Sequence, residues 1–193
     1  MPKLWNTTIE AHRHEVRAAV MRTTAHLVEA HGLRGVTMSA IAEHVGIGRA
    51  TLYKYFPDVD AILSEWHHEQ VGRHLDHLRS LSQQSGPASE RLERVLSTYG
   101  LSRYDAARRA DAPEVELALH SSGLLSEHVA ALRDLVSDLL ADGTTEGTVR
   151  ADVAPDELAV FALSSLGGAA QATSRAAVQR LIDLTLQSLR PSR

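Results

Sequence analysis

The stretch that most constrains this chain runs from Thr37 to Phe56 and reads TMSAIAEHVGIGRATLYKYF. Thr37 carries a hydroxyl that can accept the amide of Ser39 or Ala40, so it predicts the N-cap of a helix with apolar positions Met38, Ile41, Ala42 and Val45. Gly46 follows the last of these, where a left-handed residue is needed to turn the chain, and glycine adopts that geometry without steric cost. Ile47 is placed to fill the corner. A second short helix after Gly48 then presents Leu52 and Phe56, one turn apart, to a core. Two short helices meeting across a glycine turn form a shape that holds one helix against the major groove of DNA.

The other faces of the second helix carry Arg49, Thr51, Tyr53, Lys54 and Tyr55. Two cations, a hydroxyl and two phenols can bond phosphate oxygens and base edges, and no carboxylate among them repels DNA. This is the composition of a recognition helix. On this reading Tyr53, Lys54 and Tyr55 fix the helix on phosphates, while Gly48, Arg49, Ala50 and Thr51 lie at the end that faces the bases. Thr37, Met38 and Ser39 add a phosphate contact through backbone N–H groups at the start of the first helix.

A net charge of −4 argues against nucleic acid only if it is spread evenly. Residues 1–57 hold seven Lys/Arg against four Asp/Glu, a net of +3, and residues 58–193 hold thirteen against twenty, a net of −7. A basic head on an acidic body is the asymmetry expected of a DNA reader. His12, His14, His26, His31 and His44 also lie in the head. The 193 residues, 44% of them apolar, are enough for a small domain joined to a larger one. There is no cysteine, so disulfides and thiolate zinc sites are excluded, in keeping with a reducing compartment. No apolar run approaches the roughly 20 residues of a membrane span, and the N-terminus lacks the apolar centre of a signal peptide. A cytoplasmic protein without a membrane partner is expected.

Along the chain, residues 1–8 read as a loose arm with Trp5 as its anchor. The first helix is predicted over Ile9–His31, with Val16, Val20, Thr24, Leu27 and Val28 on one side and Gly32 as its stop. Arg13 and Arg17 lie near its start, within reach of a DNA backbone. Pro57 breaks the chain, and Asp58 caps a long helix over Val59–Ser82 that includes Ile62, Trp66, Leu75 and Leu78. Further helices are predicted over Glu90–Arg109, Pro113–Ser121, Leu124–Ala141, Asp156–Ala172 and Arg175–Leu189, with a surface loop over Asp142–Val153. No strand signal or repeat interrupts this all-α pattern of about nine helices.

The segment GVTMSAIAEHVGIGRATLYKYFPDVDAIL resembles the signature of the TetR (tetracycline-repressor) family of bacterial transcription regulators. Gly35, Thr37, Ile41, Ala42, Gly46, Ile47, Thr51, Leu52, Tyr53, Tyr55 and Phe56 occupy the family's positions. The resemblance in motif covers roughly residues 16 to 63. It implies a three-helix DNA-binding head over residues 1–57 and a helical ligand-sensing and dimerising body over 58–193. It also implies a homodimer on a palindromic operator, repression, and release by a small-molecule inducer when the long fourth helix shifts. In the family the last two long helices form the dimer bundle, which here places Leu158, Phe161, Leu166, Val178, Leu181, Ile182 and Thr185 at the interface. The chain departs from the pattern at Gly48, where the family has a serine cap, and at Val59, where it has a lysine resembling a phosphate clamp. The second change implies a shallower salt dependence of DNA binding.

Ligand candidates in the body are Trp66, Tyr99, Tyr104 and His120; with so few aromatics, a pocket lined by Leu, Val and Ala is expected. Other chemistries fit less well. Thr51 stands where a dinucleotide loop starting at Gly46 needs its third glycine, and Gly72 stands where a zinc-protease motif starting at His68 needs its second histidine. His67, His74 and His77 share one helix side, which we read as a solvated face because no cysteine completes a metal site. No catalytic motif and no cofactor is expected. The competing class is a dimeric binding protein that keeps the head but sequesters a small molecule, and the loss of the lysine at Val59 leans that way.

Overall fold

The computed structural model describes residues 3–32, 35–108 and 124–191, with side chains from Glu10 in the first segment and from Glu127 in the last. The described elements are α1 (Lys3–His31), α2 (Met38–Val45), α3 (Arg49–Tyr55), α4 (Val59–Ser82), α5 (Ala88–Ala106), α6 (Leu124–Thr145), α7 (Pro155–Gly167), a 3₁₀ turn (Gly168–Gln171) and α8 (Arg175–Ser188). The fold is all-α, and no strand occurs among the described residues. The helix expected over Pro113–Ser121 lies outside them.

The chain divides into two compact units, one running to Gln70 and the other beginning at Val71, so the division falls inside α4. The first unit is built on Val20, Leu27, Val28, Ile41, Leu52, Phe56, Ile62 and Leu63, all buried. Thr24 sits in this core because its hydroxyl donates to the Val20 carbonyl at 2.8 Å, within its own helix. In the second unit α5 packs against α6, α7, α8 and the 3₁₀ turn. Leu92, Val95 and Leu96 of α5 meet Val136 and Leu140, Leu158 and Leu166, and Val178 and Ile182 there.

Helix starts follow local chemistry. The Asp58 carboxylate accepts the Ala61 amide at 2.8 Å, Pro155 occupies the first turn of α7, and the Ser174 hydroxyl accepts the Ala177 amide at 3.2 Å.

Three sequence expectations need correction. The loose arm over residues 1–8 is helical from Lys3, because residues 3–9 contain neither glycine nor proline to stop α1; the Trp5 side chain lies outside the described residues. The loop expected from Asp142 begins only after Thr145. Gly143 stays helical and serves as a seat for the returning chain: its carbonyl accepts the Thr148 and Val149 amides at 2.8 and 3.0 Å. A Cβ at Gly143 would lie 2.5 Å from Val149 Cγ2, so only glycine fits under that side chain. Nearby, Arg91 bonds Asp142 at 3.0 Å and Glu146 accepts the Ala88 amide at 2.9 Å, which joins the end of α6 to the start of α5. Finally, the helix expected through Ala172 ends at Gly167 and tightens into the 3₁₀ turn, since consecutive glycines gain little from extending an α-helix.

Candidate nucleic-acid interface

The glycine corner forms as its residues predict. The Thr37 backbone is extended and its hydroxyl accepts the Ala40 amide at 3.2 Å. Gly46 is left-handed at φ 76°, and the Gly46 and Ile47 amides both return to the Ala42 carbonyl at 3.0 Å. Ile47 is half-buried against the head core. The Gly48 carbonyl then accepts the Thr51 and Leu52 amides at 2.8 and 3.0 Å, which starts α3, although Gly48 has no side chain to cap it.

Leu52 is fully buried and Phe56 nearly so, which turns the rest of α3 outward. Arg49, Ala50, Thr51, Tyr53 and Lys54 are exposed, and Tyr55 is half-buried. Tyr53 keeps 45% of its surface in solvent, unusual for an aromatic side chain within reach of a core. Arg49 donates to the Tyr53 hydroxyl at 3.3 Å, and its guanidinium lies 5.5 Å from the Tyr53 ring centre. The two residues, one turn apart, therefore present a cation and a phenol as one polar surface.

At the start of α2 the Met38 side chain is buried, so it offers DNA only its amide, beside that of Ser39, while the Ala40 amide is taken by Thr37. The exposed residues of α3 thus form a cationic and hydroxyl-rich face, whereas α2 exposes Ser39 and His44 together with the carboxylate of Glu43.

Arg17 is not part of that face. Its Nε donates to Glu65 Oε1 at 2.9 Å, its Nη2 pairs with Glu65 Oε2, and its Nη1 donates to the Tyr55 carbonyl at 3.1 Å. In place of a solvated or phosphate-reaching arginine there is an internal clamp, because the Glu65 carboxylate on α4 holds the guanidinium more closely than solvent can. Arg13 remains on the surface, 3.7 Å from Glu10. Sequence reading missed Glu65 because the pair is 48 residues apart and carries no local pattern.

Among the ligand candidates, Trp66 packs against the head core, whereas Tyr99 and Tyr104 pack against the body core. Burial pushes the Tyr99 hydroxyl up in pKa, partly offset by Arg103. The Arg108 guanidinium stacks 3.4 Å from the Tyr104 ring centre. His120 lies outside the described residues. A recess of about 470 Å³ in the body is lined by Leu81, Glu90, Glu93, Arg94, Ser97 and Thr98, none of them a candidate.

Of the residues expected at a dimer bundle, Leu158, Leu166, Val178, Ile182 and Thr185 are buried within this chain, Leu181 is half-buried, and Phe161 is exposed. The outward large apolar side chains of α7 and α8 among the described residues are Phe161, which was among the expected ones, with Val160 and Leu184. Helical spacing gives α7 and α8 an apolar side without telling which core it meets, and here Leu158, Leu166, Val178, Ile182 and Thr185 meet the chain's own. Among the described residues no group of three or more His, Asp or Glu side chains is arranged to hold a metal ion, and no helix is long and apolar enough to cross a membrane.

An N-terminal helix-turn-helix with an exposed cationic reading helix, on a helical body, defines a class of DNA-binding regulators. Within that class, residues 20–65 match bacterial regulatory proteins of the tetR family, and residues 76–191 match the SbtR-like transcriptional regulator C-terminal domain. The chain belongs to the TetR family of transcription regulators.

Solved structures share the fold. A TetR-family regulator from Pectobacterium atrosepticum aligns with a TM-score of 0.73 at 18% identity, over 93% of this chain and 96% of that one. A TetR/AcrR regulator from Thermobifida fusca aligns at 0.71 and 19%, over 90% and 98%. The regulator FadR from Bacillus subtilis, in complex with stearoyl-CoA, aligns at 0.63 and 14%, over 90% and 99%. No curated protein matches the chain in sequence.

Proposed function

We propose that the chain is a ligand-released repressor that binds a palindromic operator as a homodimer, with a DNA-reading head over residues 1–57 and a sensing and dimerising body over 58–193. The exposed face of α3 carries this reading: Arg49, Thr51, Tyr53 and Lys54 stand outward around a single buried leucine, with no carboxylate among them. Arg49, Ala50 and Thr51 face base edges, Tyr53, Lys54 and Tyr55 hold phosphates, and the Met38 and Ser39 amides add one more anion contact. A two-fold pair of such heads reads half-sites about one helical turn, roughly 34 Å, apart.

The outward apolar residues Val160, Phe161 and Leu184 support pairing through α7 and α8. The inducer is a small molecule with an apolar body, in keeping with a core rich in Leu, Val and Ala and with the stearoyl-CoA bound by the Bacillus subtilis regulator.

The test is a salt titration of binding to DNA upstream of the protein's own gene, with wild type and the Tyr53→Ala/Lys54→Ala double variant in parallel. Tight operator binding with a steep salt slope, lost in the double variant, is the expected result. Wild-type binding no tighter than to random DNA, at this and several further candidate operators, would leave small-molecule sequestration as the better reading.

A further inference from the structure

The recognition helix is weakly held where it begins. α3 has seven residues, and its N-cap Gly48 makes no side-chain bond. Within the helix only Leu52 is buried. A helix this short has little stability of its own, so its direction depends on what grips its ends.

At its far end Phe56 is buried in the head core, and among the described residues one side chain from another helix bonds the Tyr55 carbonyl. The last carbonyls of a helix have no partner within it, and a cation there also meets the negative end of the helix dipole. Arg17 from α1 provides both, donating from Nη1 to the Tyr55 carbonyl at 3.1 Å. Its guanidinium carbon lies 4.4 Å from the centre of the Phe56 ring. On its other edge the same guanidinium makes the two-pronged pair with Glu65 of α4. A forked pair fixes the plane of the guanidinium as well as its position, which a lysine cannot do. One side chain thereby joins α1, the end of α3 and α4 within the unit that ends at Gln70.

We propose that Arg17, oriented by Glu65, is the positioning residue that sets the direction of the recognition helix. The inference rests on the DNA-reading function proposed above and adds residues outside the reading face to it. Each of the three guanidinium nitrogens donates one hydrogen bond inside the protein, and these bonds tie Arg17 to α3 and α4. The role of Glu65 has a sign that separates it from simple electrostatics. A carboxylate in the same compact unit as the reading helix repels phosphate, so neutralising it should strengthen binding to any duplex. If Glu65 instead holds Arg17 in place, neutralising it weakens operator binding.

The experiment compares wild type, Glu65→Gln and Arg17→Lys. Affinity is measured for operator and random duplexes across salt, and amide hydrogen exchange is measured residue by residue without DNA. Glu65→Gln is expected to bind operator about tenfold more weakly, the scale of losing a charged hydrogen-bonded pair, while random-duplex affinity holds or rises. Amides of Tyr53–Phe56 should exchange about tenfold faster, with those of Ile41–Val45 unchanged. Arg17→Lys, which keeps the charge and loses the fork, should behave in the same way. Operator binding by Glu65→Gln as tight as wild type or tighter, with unaltered α3 exchange, overturns the proposal. So does equal acceleration in α2 and α3, which would mark a general loss of stability. A wild type without operator preference counts against the DNA-reading function, and the exchange rates then decide the positioning role on their own.

Discussion

The two units use their helices differently. In α3 of the head, five of seven side chains are exposed and one, Leu52, is fully buried. In the body, α7 and α8 bury Leu158, Ala159, Ala162, Leu166, Val178, Ile182 and Thr185. A surface meant to be read by another molecule leaves little of a short helix for its own core, so neighbouring elements must hold it. The body has no such demand on these inner faces, and its stability is distributed over many contacts.

Removing the buried anchor on each side should give the largest effect. Leu52→Ala leaves a cavity worth about 2–5 kcal/mol, and residue-resolved hydrogen exchange should show the loss in α2 and α3 while Leu158–Leu166 stays protected. Ile182→Ala should do the reverse at similar magnitude. If either variant lowers protection equally in both units, they unfold as one cooperative body and the contrast fails.

A smaller change tests the body alone. Gly143→Ala places a methyl group 2.5 Å from Val149 Cγ2. Such overpacking should cost about 1–3 kcal/mol in a denaturant melt. Restoring stability with Val149→Ala in the same background would show that the clash, and not helix propensity, is responsible, since alanine is the better helix former.

The smallest effect is a pH dependence. His74 on α4 is half-buried, its Nε2 is shut from solvent without a hydrogen-bond partner, and burial, helped by His77, lowers its pKa from 6.5. The unfolded chain therefore takes up this proton first as the pH falls. The associated stability is fully present above 6.5 and declines as acid protonates the unfolded state. A His74→Gln variant should lose less stability than wild type between pH 7 and pH 5, as read by thermal melting; an unchanged pH profile would show that His74 is not linked to folding.

Much of the reading face was legible beforehand because its signals are local. A threonine cap, a glycine that turns left-handed and an apolar pair one turn apart each act within four residues, and the structure places each as expected. The same locality explains the exact span of α4, which begins after the Asp58 cap. The place of Arg17 is not legible in the sequence, for the opposite reason. Its surroundings in sequence show a charged residue on an amphipathic helix, and nothing there indicates the carboxylate of Glu65 or the carbonyl of Tyr55.

The body shows the same limit in its apolar residues. Spacing marks Leu158, Leu166, Val178 and Ile182 as one-sided, but a helix with apolar residues on much of its surface does not state which side meets its own chain. Gly143 reads as a loop signal because glycine disfavours helix, whereas in place it is the only residue that fits beneath Val149.

By itself, then, the sequence determined the helical class, the helix-turn-helix with its caps, and the residues that stand outward on α3, because these follow from backbone preferences and short spacings. Tertiary structure alone decided that Arg17 clamps α3 to α4, that the inner faces of α7 and α8 are used up in the chain's own core, and that α6 runs past Gly143. Each of these depends on distant side chains competing for the same donor, acceptor or space, and such competition is settled only when the chain is packed.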